Sequence, residues 1–259
     1  MKLLSNCLLI ILSSASVIFI SSCGGGSPDK KAGGQKSDTL TVADTGYTGV
    51  KKYYSGTRLV KEVTFRNGIR HGETRTYYQG GQLYQRFWYE NDLREDSAKW
   101  YYLEGQVFRS TPYRHDTIDG IQMQYYRSGR VKAKIGYKKG LRTPFFQEFT
   151  QDGKLVTGYP EIVASVNDEY ATKGQVRINL ELSDKSEKVK FFRGEFTNGV
   201  FDTAQCKPLN TVKGKAYINL KKSKPPQPNY VSVIAEIITG FGNRYLTEKK
   251  IDLPYNDLN

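Results

Sequence analysis

The chain has 259 residues, 39 Lys plus Arg against 26 Asp plus Glu, a formal net charge of +13 and 13% aromatic residues. Its three cysteines, Cys7, Cys23 and Cys206, exclude a disulfide framework, because the first two lie in or at the end of an N-terminal export segment and the third is left without an intramolecular partner. Metalloprotease HExxH, nucleophile-elbow G-x-S-x-G, phosphate-loop and Cys-His patterns do not occur, so catalysis finds little support.

The N-terminus reads as an address. Lys2 precedes a mostly apolar run from Leu8 to Ile20, and Ile20-Ser21-Ser22-Cys23 is followed by three glycines. A basic start, a short apolar core and small residues before a cleavage point make a secretory signal over 1–22, and the run is short for a membrane span. The last four residues resemble a bacterial lipobox, which implies cleavage before Cys23, a diacylglycerol thioether on its sulfur and an acyl group on its new amine. At about 0.8 kcal/mol per buried methylene, such chains hold a protein on a membrane almost permanently. Residues 23–46 then form a Gly-, Ser-, Lys- and Asp-rich tether, expected to span roughly 25 Å as a flexible coil. Gly24 stands where an Asp would, by the enteric sorting rule, retain a lipoprotein at the inner membrane, so the outer membrane of a Gram-negative envelope is the expected location.

A 24-residue period occupies 47–157. Tyr53-Tyr54, Tyr77-Tyr78, Tyr101-Tyr102 and Tyr125-Tyr126 recur in register, and Phe149 opens a fifth copy. Leu83, Phe87 and Tyr89 share one parity with Gln85 between them, the period of a strand rather than a helix. Short glycine loops such as Gln79-Gly80-Gly81-Gln82 join the tyrosine pair to that strand. Exit turns read Asn67-Gly68, Asn91-Asp92, His115-Asp116 and Lys139-Gly140, residues that tolerate the left-handed region. Each unit is therefore a hairpin. One hairpin is marginal in water, so the units are expected to pair edge to edge in an extended antiparallel sheet.

Tyr77-Tyr78-x-x-Gly81-x-Leu83, with Asn67-Gly68-x-x-His71-Gly72 at a unit's end, resembles the bacterial variant of the MORN repeat, whose members are often catalogued as antitoxin components of the YwqK type. The resemblance covers some four and a half units and implies a repeat sheet. Its departures are Glu95-Asp96 and Pro144 at the His-Gly position, and Pro112 inside an expected strand, where a bulge or exposed edge should result.

From about Tyr159 the period stops, and 158–259 reads as a second, all-β domain. Val176, Ile178, Leu180 and Leu182 alternate with Arg177, Asn179 and Glu181, and further strands are expected at 188–196, 215–222, 230–239 and 243–253, the last pair turning at Gly240-Phe241-Gly242-Asn243. The spacing suggests an immunoglobulin-like β-sandwich. Lys173-Gly174-x-x-x-Ile178-Asn179-Leu180 recurs as Lys213-Gly214-x-x-x-Ile218-Asn219-Leu220, a sign of similar strands in two halves of the sandwich or a coincidence. The fold class is all-β throughout.

The charge is concentrated in the repeats: 46–157 carries 20 basic against 11 acidic residues, and 158–259 carries 15 against 12. Aromatics interleaved with Lys and Arg would point to nucleic acid in the cytoplasm. The export signal removes nucleic acid as a partner and leaves lipid head groups, a surface glycan or an acidic protein. Tyr53, Tyr77, Tyr101 and Tyr125, with Lys132 and Lys134 on one face of the fourth unit, are the candidate interaction surface; the same residues also serve a sheet simply by cross-strand pairing and solvation. His71 and His115 fall at or near exit turns. His115-Asp116-Thr117-Ile118-Asp119 offers acidic ligands for weak calcium binding, yet its spacing is that of an ordinary turn. Neither a cofactor nor a metal is expected, and Cys206 is expected to be a buried structural residue. The expectation is a non-enzymatic envelope lipoprotein, anchored through its lipid, whose repeat sheet is a protein-interaction or scaffolding module. An envelope immunity or antitoxin-like protein and a glycan-binding or glycan-processing protein are the alternatives.

Overall fold

A computed structural model describes residues 46–224 and 226–259. Cys23 and the segments expected to be signal (1–22) and tether (23–46) lie outside the described residues, apart from Gly46. Within the described residues the protein is all-β.

Ten strands form one antiparallel sheet: β1 (Gly49–Ser55), β2 (Arg58–Arg66), β3 (Ile69–Tyr77), β4 (Leu83–Glu90), β5 (Leu93–Tyr101), β6 (Val107–Arg114), β7 (Thr117–Ile118), β8 (Gly120–Tyr125), β9 (Val131–Lys138) and β10 (Leu141–Glu148). Strands follow one another in spatial order, with β7 a short extra partner of β6. The exit turns have φ > 0 at both central residues, 52° and 80° at Asn67-Gly68 and 48° and 64° at His115-Asp116. That is the mirror-image turn whose twist matches a hairpin. In the glycine loops the N–H of Gly81 donates to Tyr78 O and that of Tyr78 to Gln82 O, and the same pair of bonds recurs at 102–106, 126–130 and 150–154. The fifth copy thus completes its turn.

The register slips by two residues in each returning strand, and the slip explains the glycine of the His-Gly position. Gly72 and Gly120 take φ of 108° and 115°, and Asp96 takes 58°. Pro144 cannot adopt positive φ. There β10 bulges between Arg142 and Phe146 and closes on β9 at Gly136, where a Cβ would lie 2.1 Å from Thr143 Oγ1. At Pro112 the expected irregularity occurs toward β8: pairing stops at Ser110 and resumes at Tyr113, to β7.

One face of this sheet is buried along two transverse rows. Val63, Thr74, Ala98, Thr111, Gln122 and Ile135 belong to one, and Trp100, Ala133 and Glu148 to the other. Gln85 lies on this same face, opposite Thr76 and Trp100. Trp100 is the main apolar anchor, edge-on to Phe87 at 5.4 Å and covered by the Arg109 guanidinium at 4.0 Å. Phe87 itself is only half-buried.

The C-terminal part is a two-sheet sandwich. β11 (Ile162–Glu169), β12 (Gln175–Leu182) and β15 (Ala216–Lys221) form one sheet; β13 (Val189–Arg193), β14 (Lys207–Pro208), β16 (Tyr230–Ile238) and β17 (Arg244–Asp252) form the other, in the order β14-β13-β16-β17. A one-turn helix, α1 (Tyr170–Lys173), joins β11 to β12. Compared with the constant immunoglobulin order, the fourth strand pairs with the third instead of joining the first sheet. Ile178, Leu180, Phe191, Leu220, Val233 and Ala235 are fully buried between the sheets. β13 ends at Arg193, short of the expected 196, because Gly194 turns the chain at φ 147° against Cys206.

The last repeat strand docks on the sandwich. Glu148, 0% exposed, accepts hydrogen bonds from Asn243 Nδ2 (2.8 Å), Thr239 Oγ1 (2.7 Å) and Tyr159 Oη (3.3 Å). Arg142 Nη2 donates to Arg244 O at 2.8 Å, and Phe201 N donates to Arg142 O at 2.7 Å. Phe146, Tyr159 and Tyr245 pack their rings together with centroids 4.4–5.6 Å apart. A repeat array needs a cap where its end would otherwise expose apolar surface and open edge, and the sandwich covers the β10 end.

Candidate functional site

The face opposite Trp100 carries a row of charged and polar side chains. Strand pairing sets Glu62, Arg75, Arg86, Lys99, Ser110, Met123, Lys134 and Gln147 in one row across eight strands. At the β2–β3 end the cations are partly neutralised: Arg75 pairs with Glu62 (3.8 Å) and with Glu73, and Arg86 Nε lies 3.3 Å from Glu73. Lys99 and Lys134, farther along, have no ion pair among the described residues. A groove along this row is lined by Arg86, Asp96, Ser97, Lys99, Ser110 and Tyr125. Beside it Trp88 is 44% exposed, opposite Glu73 and Glu95.

The tyrosine pairs divide their work. The second member of each pair locks the array: Tyr78 Oη donates to Tyr101 O (2.7 Å), Tyr102 Oη to Tyr125 O (2.9 Å) and Tyr126 Oη to Phe149 O (2.7 Å). Burial raises the pKa of Tyr78 and of Tyr126, keeping these donors protonated. Tyr54, on β1, is 56% exposed and makes no such bond among the described residues. The first members, Tyr53, Tyr77, Tyr101 and Tyr125, are half-buried. Tyr77 donates to Glu62 on the charged face, and Tyr125 lines the groove with Arg86 and Lys99. No ring contact joins these four to one another among the described residues, so they do not form a stacked strip. Lys132 and Lys134 are half-buried, with ammonium groups 6.0 Å from the Tyr126 ring and 5.6 Å from the Phe149 ring.

Arg86 and Lys99 are the surface residues that sequence reasoning missed. Two 24-residue columns contain them, Glu62/Arg86/Ser110/Lys134 and Arg75/Lys99/Met123/Gln147, and reading those columns side by side locates the row.

A second ladder follows the exit turns. Arg70 Nε donates to Asp92 Oδ1 at 2.8 Å while its guanidinium covers the Tyr89 ring at 4.3 Å; one unit on, Arg94, Asp116 and Tyr113 repeat this at 2.7 and 4.3 Å. The hydrogen bond from its arginine holds each aspartate below the usual carboxylate range. Asp116 is thus committed to Arg94, and the His115–Asp119 segment is an exit turn followed by β7. Among the described residues no group of three or more His, Cys, Asp and Glu side chains converges in a way that could hold a metal ion. Cys206 packs with Phe192, Phe201, Ile234 and Leu246, and burial followed by neighbouring acidic charge pushes its thiol up, away from the reactive thiolate.

Among the described residues no helix is long and apolar enough to cross a membrane. The chain matches no family model, and a search of curated proteins finds no match to it.

Proposed function

We propose that this is a non-enzymatic envelope lipoprotein of MORN-like repeat type, anchored through Cys23, whose repeat sheet is an interaction surface for an acidic partner. The observation that carries the reading is the transverse row Arg75, Arg86, Lys99 and Lys134, with Tyr125 and Trp88 beside it. Aromatic rings and arginine are the residue types that dominate binding energy at interfaces, and a cationic row steers an acidic partner toward them. Hairpins locked by tyrosine-to-carbonyl bonds hold these side chains at fixed spacing, which lowers the ordering cost of association.

The address rests on the lipobox-like Ile20-Ser21-Ser22-Cys23 and the glycines after it. Mass spectrometry of the mature N-terminus tests it: acylated Cys23 is expected, and a free amine at any other residue overturns the anchor. Crosslinking in intact cells, with the wild type and an Arg86→Glu/Lys99→Glu variant compared, tests the surface. A partner captured by the wild type and lost from the variant is expected; equal capture by both overturns the reading.

A further inference from the structure

The two copies of the Lys-Gly-x-x-x-Ile-Asn-Leu motif are hydrogen-bonded to each other. β12 and β15 run antiparallel with Ile178 opposite Ile218, so the copies are related by a local two-fold axis through that pair. The isoleucines and leucines fill the core, and both asparagines face outward, Asn179 opposite Tyr217 and Asn219 opposite Arg177. The symmetry is broken in what the asparagines do. Asn219 Oδ1 accepts from Arg177 Nε at 2.8 Å, and the same guanidinium sits 4.8 Å over the Tyr217 ring, orienting it. Asn179 makes no side-chain hydrogen bond within the described residues.

Asn179 is the middle of a row, Ser165–Asn179–Tyr217, that crosses all three strands. The segment between β14 and β15 brings Asn210 and Val212 alongside, turning the sheet face into a groove. Tyr217 is 54% exposed and Val212 60% exposed, while Ser165 and Asn210, like Asn179, have side chains without a protein partner among the described residues. Two charged side chains line the groove, Glu181 and Lys215; they pair with each other at 3.8 Å, and Glu181 is also held by Lys185.

We propose that this groove binds a neutral, hydroxyl-rich oligosaccharide. A pyranose offers an apolar C–H face and, around its rim, hydroxyls that both donate and accept. Tyr217 supplies the platform for the first. The unpaired, uncharged amides and hydroxyl of Asn179, Asn210 and Ser165 answer the second. Groups free to bond that carry no charge select a neutral ligand over an anion. Three strands at about 4.8 Å spacing make the row roughly 10 Å long, the span of about two sugar rings. The site is separate from the basic row of the repeat sheet and does not depend on it.

The test is calorimetric titration of the purified chain with three tetrasaccharides, β-1,4-linked glucose, β-1,4-linked N-acetylglucosamine and a uronate. Saturable binding of at least one neutral tetramer is expected, with the same affinity at low and high salt. Tyr217→Ala should weaken it by about tenfold or more and Asn179→Ala by a smaller factor, whereas Tyr217→Phe should stay within about twofold of wild type. Because Tyr217 is exposed, its variants should keep the wild-type circular dichroism and melting temperature. Failure of both neutral tetramers to bind, binding unmoved by Tyr217→Ala, or binding of the uronate alone with loss at high salt each overturns the proposal.

Discussion

Replacing Glu148 by alanine should separate the repeat sheet from its cap. Glu148 is fully buried on β10, and among the described residues the polar partners of its carboxylate are Tyr159, Thr239 and Asn243, all beyond the repeats. Hydrogen bonds to an ionised group contribute about 1.5–3 kcal/mol each, and a buried donor left without its acceptor costs about 1–3 kcal/mol. Water entering the space left by the side chain restores part of this. A loss of about 3–5 kcal/mol results, or about 6–20 °C in melting temperature for a body of this size. Glu148→Gln keeps one acceptor oxygen and should cost roughly half as much. Both tryptophans, Trp88 and Trp100, lie in the repeat sheet. Indole fluorescence therefore follows the sheet alone, while far-ultraviolet circular dichroism follows the whole molecule. Urea titrations by the two probes should coincide for the wild type, and in Glu148→Ala the fluorescence transition should come first. Coincident transitions within about 1 kcal/mol of wild type would refute the reasoning.

Burial, followed by the neighbouring Glu148 charge, raises the Tyr159 pKa well above its ordinary 10.0. A group whose pKa is raised in the folded state contributes stability that is complete below its unfolded pKa and is lost as pH rises through the folded one. Alkaline titration should therefore erode stability from about pH 10 upward, and Tyr159→Phe should flatten that erosion, as melting temperature against pH will measure. Asp92 and Asp116 act in the opposite direction: their pKa values are lowered by Arg70 and Arg94, so their stabilising effect is complete above the ordinary 3.8 and declines below it. Both pairs are partly exposed, so Arg94→Ala should cost no more than about 1 kcal/mol in a urea titration. The repeats should unfold as a coupled block: a chain holding units one and two alone should melt without a sharp transition, since neither hairpin persists by itself. Trp100→Ala, at a site only 6% exposed, should cost about 3–5 kcal/mol, and Phe87→Ala, half-buried, roughly half that in the same denaturation assay.

The hairpins were legible because each turn demands particular residues. Asn-Gly and Asn-Asp steps at 24-residue spacing announce φ > 0 pairs, and the strands between them have no other arrangement that pairs every unit. In the sandwich, the alternation at 176–182 mapped onto β12 within one residue. β11 is not legible in the sequence because only its first part reads apolar, before Asn167-Asp168-Glu169. The partition of each tyrosine pair into lock and surface was not legible either. Adjacent tyrosines are chemically identical, and only their placement across the neighbouring unit distinguishes them. Glu148 illustrates the limit most sharply: as a lone carboxylate at a strand end it reads as solvated, and its burial follows from Thr239 and Asn243, more than 90 residues away.

The interaction surface is tested most directly by the association rate of the chain with the partner recovered by crosslinking, measured at low and high salt for the wild type and for Lys132→Ala/Lys134→Ala. Attraction between exposed charges is screened over about 8–10 Å at physiological salt. The wild-type association rate should fall as salt rises, and the double variant should associate more slowly at low salt with little change in dissociation. Association indifferent both to salt and to the two substitutions would contradict an acidic partner bound on the basic face of the repeats.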